Sequence, residues 1–198
     1  HPRFRTLVGD VTTVAGREAI ADTVRREYPK LNTLVNNAGI QRRVDLNRRA
    51  PEPWQEIQTE IATNLEAPIH LAQLLIPHLA AQPRSYLINV TSGLSFSPIA
   101  GIPVYCATKA ALHSFTLSLR HQLAATPIQV IEVIPPAVDT DLGGPGLHTF
   151  GVPVDAFADS ILRDLAQGAV EAAYGFADTA RKASPPELQR IFQQMNPR

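Results

Sequence analysis

The sequence predicts an α/β domain, a doubly wound parallel sheet with helices on both faces. Two observations carry this. Short apolar runs alternate with longer stretches of helical spacing along the whole chain. The runs are apolar throughout rather than half-polar, as strands buried on both faces must be. With 198 residues, no internal repeat and no low-complexity linker, residues 1–198 read as a single domain.

Taken in order, "FRTLVGD" at 4–10 is strand-like. Thr12 or Thr13 can cap a helix over 12–28. "NTLVNNAG" at 32–39 is a short strand running into a turn, with Gly39 allowing a tight bend. Residues 53–82 read as one or two helices, "IHLAQLLIPHLA" being heavily apolar. Pro68 lies inside this region. It has no N–H to give the carbonyl of Asn64, so the helix should kink there and leave that carbonyl free to hold a water. "SYLINVTS" at 85–92 is a strand, and 103–125 a long helix with Pro127 just past its end. "IQVIEVI" at 128–134 is a strand closed by Pro135 and Pro136. "GGPG" at 143–146 marks a mobile loop, and the glycine-rich stretch 142–153 is placed to close over a substrate. Asp155 can cap a helix reaching Gly168, and a short strand is expected near Tyr174.

Composition excludes several classes. Acidic and basic residues balance at 18 each, which argues against nucleic acid or an anionic membrane surface as partner. No apolar run reaches the roughly 18 residues that span a bilayer. The single cysteine, Cys106, forbids an internal disulfide and suits a reducing, cytoplasmic compartment. The start "HPRFRTLVGDV" has neither signal-peptide nor transit-peptide character and reads like the interior of a domain. The histidines 1, 70, 78, 113, 121 and 148 lack metal-site spacing, and His113 with His121 reads as a helix surface.

In parallel α/β sheets ligands collect at the carboxyl ends of the strands. The residues there are Asp10-Val11, "NNAG" at 36–39, Thr91-Ser92-Gly93 and 135–140. Tyr105 and Lys109, four apart in "YCATK", share a helix face. A cation beside a phenol favours the phenolate and would draw its pKa down from about 10 toward neutrality, as acid/base catalysis requires. Spacing alone favours the plainer reading, a packed tyrosine with a lysine stem passing it. Ser92, thirteen residues before Tyr105, could donate to a carbonyl oxygen as charge develops, or be a turn serine. A hydrolase nucleophile at Ser92 is disfavoured, because no G-x-S-x-G elbow is present.

"NNAG", "NLEAP", "TSG", "YCATK" and "PPAVDT", in this order and spacing, resemble the classical short-chain dehydrogenases/reductases over nearly the whole chain. "INVTSGLSF", "YCATKAALHSFTLSLR" and "YGFADTARKAS" are most similar to a bacterial DltE-type oxidoreductase subgroup. The resemblance implies a Rossmann-like domain and reversible hydride transfer between NAD or NADP and a carbonyl/alcohol pair. It implies that Tyr105 is the acid/base, that Lys109 tunes it and bonds the nicotinamide ribose, that Ser92 polarises the carbonyl and that Asn64 holds a relay water. Asn36, Ala38 and Gly39 would line the cofactor site, with Asp10 and Val11 near the adenine, Pro135 bordering the nicotinamide and Thr140 on its carboxamide. A homodimer or tetramer is implied as well.

Two departures stand out. Pro135-Pro136 replaces the family's Pro-Gly and stiffens the backbone beside the nicotinamide. The glycine-rich phosphate loop between first strand and first helix is absent, and "FRTLVGDV" matches the family's third strand, so an N-terminal strand-helix-strand is expected to be missing. The phosphate site and the position separating NAD from NADP would go with it. Residues 4–10 would then lack a sheet neighbour and be displaced. Two other readings stay open: a truncated, non-catalytic binding module that keeps the fold, and an interaction protein built on its apolar helix faces.

Overall fold

The computed structural model describes residues 4–47 and 53–197. Four strands make one sheet: β1 (Thr33–Asn36), β2 (Ser85–Val90), β3 (Ile128–Ile134) and β4 (Glu171–Ala173), side by side in that order. Every pairing is parallel, with Asn36 opposite Asn89, Val90 opposite Val133 and Glu132 opposite Glu171. The expected parallel α/β architecture is therefore present.

Helices link the strands: α1 (Val14–Glu27), α2 (Trp54–Ile61), α3 (Ala67–Ala80), α4 (Pro103–Gln122), α5 (Val154–Ala166), α6 (Phe176–Lys182) and α7 (Pro185–Met195). Side chains alternate across each strand. Leu87 and Val130 turn to one face and pack with Ala72 and Leu79 of α3 and Leu119 of α4. Ile88, Val90 and Val133 turn to the other and meet Phe157, Ile161 and Leu165 of α5. Each face thus has its own apolar layer, which is why β3 is almost wholly apolar.

Polar side chains stitch these layers. Asn36 donates to Asn89 Oδ1 at 2.8 Å, and Asn89 donates to Thr116 Oγ1 of α4 at 2.9 Å, all three buried. Arg17, 4 % exposed, donates to the Val11 carbonyl and to His70 of α3, both at 3.0 Å, tying α1 to α3. No helix among the described residues is long and apolar enough to cross a membrane.

Some local expectations hold and others need correction. Residues 4–10, strand-like in sequence, are displaced from the sheet as expected for a segment without its neighbours, and Phe4, Leu7 and Val8 are exposed. Apolar alternation there is not enough, because a strand needs a paired neighbour and β1 pairs only with β2 among the described residues. Thr13, not Thr12, caps α1, its hydroxyl accepting from Gly16 N at 3.0 Å, while Thr12 is drawn onto the Asp10 carboxylate. Asp155 is not a cap: Pro153 holds that position and Asp155 sits in the first turn of α5. Pro68 also acts differently from a plain kink. The turn before it, Ala62–Glu66, widens into a π-helix between α2 and α3, so the missing N–H is absorbed by a bulge. His1 of the histidine set lies outside the described residues.

Candidate active site

Tyr105 and Lys109 stand one turn apart near the start of α4, where Pro103 opens the helix. Both are buried, Tyr105 6 % exposed and Lys109 4 %. Lys109 Nζ donates to the carbonyl of Val90, the last residue of β2, at 2.8 Å. Ser92 follows two residues later. Its oxygen caps the 3-10 turn Gly93–Ser95 by accepting from Leu94 N at 3.1 Å, and its side chain stands near enough to the Tyr105 phenol to favour the phenolate. Strand end and helix face thus meet at one phenol, a serine hydroxyl and an ammonium.

The electrostatics correct the expected tuning. Burial pushes the Tyr105 phenol up to about 12, the Ser92 hydrogen bond pulls against it, and the Cys106 thiol and Glu60 carboxyl add small upward pushes. Burial brings the Lys109 ammonium down to about 8. Lys109 Nζ lies 5.7 Å from the centre of the Tyr105 ring, and desolvation of each group outweighs the attraction between them.

Asn64, fully buried in the π-turn, pins the opposite wall. Its amide donates to the Ile40 carbonyl and accepts from the Ile40 N–H, both at 2.8 Å, and reaches Thr108 Oγ1 at 3.2 Å. This fixes the backbone just after Gly39. A Cβ on Gly39 would stand 3.7 Å from Asn64 Oδ1 and 3.8 Å from Lys109 Nζ, so Gly39, Asn64 and Lys109 share one corner. The neighbouring Ala38 is exposed. Asn36 spends its amide on Asn89 and serves as a pin between strands.

The other expected residues are placed unevenly. The Pro135 carbonyl accepts from Gly93 N at 2.9 Å and so borders the Ser92 segment. Thr140 is exposed at the loop entrance, its hydroxyl 3.3 Å from the Val138 carbonyl. Asp10 is exposed and bonds Thr12, which holds its carboxyl below the usual carboxylate range, and the Val11 carbonyl is taken by Arg17. No hydrogen bond described here joins Asp10 or Val11 to the Tyr105 corner.

Apolar groups enclose the phenol: Tyr105, Cys106 and Ile102 pack with Leu94, Ile99 and Leu142. Leu142 opens the 142–153 loop, whose neck is closed by a parallel bridge between Val138 and Val152. Gly151 is obligatory there, since a Cβ would lie 2.7 Å from Asp139 N and from the Val138 carbonyl carbon.

Three groups have placements that the sequence reading did not give them. Glu60 of α2 is fully buried with neither carboxylate oxygen hydrogen-bonded, and burial lifts its pKa to about 6. His113 is not a surface residue; it sits 2.9 Å from both oxygens of the buried Glu132. Thr91, next to Ser92, donates to Glu132 Oε1 at 2.6 Å. The available signal was a polar residue inside an apolar strand, Asn89 in "YLINV" and Glu132 in "IQVIEVI", since such residues are retained only with partners.

Comparison with known proteins identifies the family. The profile of the short chain dehydrogenase family matches residues 1–147, and the chain belongs to that family. It is 43% identical over 200 residues to the uncharacterized oxidoreductase DltE of Bacillus subtilis, covering 98% of this chain and 79% of that protein. It is 32% identical over 136 residues to the 3-oxoacyl-[acyl-carrier-protein] reductase FabG of Haemophilus influenzae, covering 69% of this chain and 55% of the relative. Among solved structures, a short chain dehydrogenase from Burkholderia cenocepacia in complex with NADP superposes with a TM-score of 0.84 at 22% identity, covering 98% of this chain and 81% of that one. The last likeness shows the fold alone.

The residues present suit the nicotinamide end of a dinucleotide. Lys109 uses one of its three N–H donors on Val90, and no other partner is seen among the described residues, which leaves donors for ribose hydroxyls.

Proposed function

We propose that this chain catalyses, or forms the catalytic part of an enzyme that catalyses, reversible hydride transfer between NAD or NADP and a small carbonyl/alcohol pair. The observation that carries this is the convergence of the Ser92 hydroxyl, the Tyr105 phenol and the Lys109 ammonium at the end of β2. The nicotinamide, when bound, supplies or accepts the hydride. The chain supplies the rest. Ser92 donates to the carbonyl oxygen, most strongly as that oxygen gains charge. Tyr105 Oη delivers the proton that turns the alkoxide into an alcohol, and a phenol held protonated by burial suits the reductive direction. Lys109 bonds the ribose and stabilises phenolate as the proton leaves. The Asn64 carbonyl, which Pro68 cannot engage, holds the relay water. Asn36, Ala38, Gly39 and Pro135 line the nicotinamide half of the site, Thr140 takes the carboxamide, and Asp10 and Val11 sit toward the adenine. The apolar wall of Leu94, Ile99, Ile102 and Leu142 favours an apolar group beside the carbonyl. The enzyme works in the cytoplasm as a homodimer or tetramer.

The test is a panel of aldehydes, ketones and alcohols offered to the full-length protein with NADH, NADPH and their oxidised forms, followed at the nicotinamide absorbance. Turnover with one pair is expected. Neither turnover nor binding of either cofactor would leave the non-catalytic module as the better reading.

A further inference from the structure

His113 lies on the same stripe of α4 as Tyr105 and Lys109, at intervals of four residues. Its ring meets Glu132, the buried carboxylate of β3, at 2.9 Å. Its face meets the Phe96 ring edge-on, centroids 4.8 Å apart. Both contacts lead to Ser92. Glu132 accepts from the Thr91 hydroxyl at 2.6 Å, and Thr91 immediately precedes Ser92. Phe96 directly follows the 3-10 turn that Ser92 caps.

A carboxylate with no exposed surface needs a counter-charge. The charged groups around it leave that task to His113. Glu171 of β4 pairs in register beside Glu132 and adds negative charge. Arg120 of α4 and Arg181 of α6 are engaged by Glu171, at 3.0 Å and 3.6 Å. Arg181 also pairs with Asp178. The hydrogen bond that His113 donates to Glu132 is accordingly the largest influence on it, holding the imidazole above its ordinary pKa.

We propose that His113 and Glu132 are positioning residues for Ser92: the imidazolium–carboxylate pair fixes the serine through Thr91 on one side and Phe96 on the other, and carbonyl polarisation weakens when the pair loses its proton. This rests on the role given to Ser92 above. Neither residue touches the reacting atoms.

The test is NMR titration of the full-length protein carrying ¹³C-histidine and ¹⁵N backbone labels. The His113 ring signal is assigned by its loss in His113→Gln. The Ser92 and Gly93 amides are expected to shift with the same midpoint as the His113 ring. In Glu132→Gln that midpoint should fall and the amide shifts should decouple from it. Ser92 and Gly93 amides that stay flat through the His113 titration in the parent would overturn the proposal, whether or not the variants fold. On any substrate found, His113→Gln should lower kcat by roughly tenfold with cofactor KM changed by less than about twofold, the pattern of an interaction made in the transition state. The NMR readout involves no turnover, so its failure is distinct from failure of the hydride-transfer reading, which Tyr105→Phe tests separately.

Discussion

The Lys109 ammonium donates to the Val90 carbonyl at 2.8 Å while lying 5.7 Å from the centre of the Tyr105 ring. One side chain thereby links the end of β2 to the proposed proton donor. Its burial has a thermodynamic signature. Between a folded pKa of about 8 and an unfolded value of about 10.4, the unfolded chain holds the lysine proton and the folded chain does not. Stability contributed by this group therefore rises with pH through that window and is lost as pH falls through the folded pKa. In Lys109→Met the rise should vanish from denaturant midpoints measured between pH 7.5 and 10. The same variant should lose turnover by roughly a hundredfold or more, because no cation remains to favour the phenolate.

Asn64→Ala removes the bonds to Ile40 N, Ile40 O and Thr108 together. At about 1 kcal/mol each, plus the cost of leaving buried partners unmet, the loss should be roughly 2–4 kcal/mol in urea unfolding. Cofactor affinity should fall with it, since the backbone beyond Gly39 is released. Unchanged stability would show that the Asn64 amide is dispensable.

Glu60 should behave in the opposite sense. Its folded pKa is about 6 against 4.5 unfolded, so between these values the folded state holds the extra proton. Its contribution is present below the unfolded value and lost as pH rises through the folded one, leaving at neutral pH an ionised buried carboxylate whose desolvation Arg42 offsets only in part. Glu60→Gln should therefore stabilise the protein at pH 7.5 by up to about 2 kcal/mol and have no such effect at pH 4.5. Paired unfolding curves at the two pH values measure this.

Gly151→Ala places a methyl against the backbone of Val138 and Asp139. The neck of the 142–153 loop must open to admit it, at a cost of about 1–3 kcal/mol. KM for the carbonyl substrate should rise several-fold while cofactor binding, measured by nicotinamide fluorescence, stays near the parental value. A crystal structure of the variant with an intact Val138–Val152 bridge would contradict this account of the loop.

The sequence made visible what local pattern determines. The four parallel strands (β4 as the short strand expected near Tyr174), the long helix ending before Pro127 and the Tyr105–Lys109 face follow from periodicity and spacing. The tyrosine corner with Ser92 and Asn64 followed from the family order of short motifs. The displacement of residues 4–10 was legible too, because a strand-like segment shows a capacity to pair and the missing motif showed that its neighbours were absent. The π-turn before Pro68 was hidden because proline reports a lost hydrogen bond and not how the chain absorbs it. The pKa balance was missed because spacing shows that Lys109 can face Tyr105 but carries no measure of how dry both become. The Glu132–His113–Thr91 network depends on β3, α4 and the end of β2 meeting in space, and its only local mark is a glutamate inside an apolar strand. The helices α6 and α7 went unread for different reasons: α6 is only seven residues long, whereas α7 carried a legible start in the Ser184–Glu187 capping box.

Tyr105→Phe tests the central claim most directly. The ring still packs with Ile102, Cys106 and Leu142, so the fold should be kept, while the phenolic proton proposed to reach the carbonyl oxygen is lost. General acid/base catalysis contributes about 10²–10⁴-fold. On a confirmed substrate of the full-length protein, kcat for Tyr105→Phe should fall within or beyond that range, with cofactor affinity close to parental. Near-parental turnover would make Tyr105 a packing residue and contradict the assignment of the site.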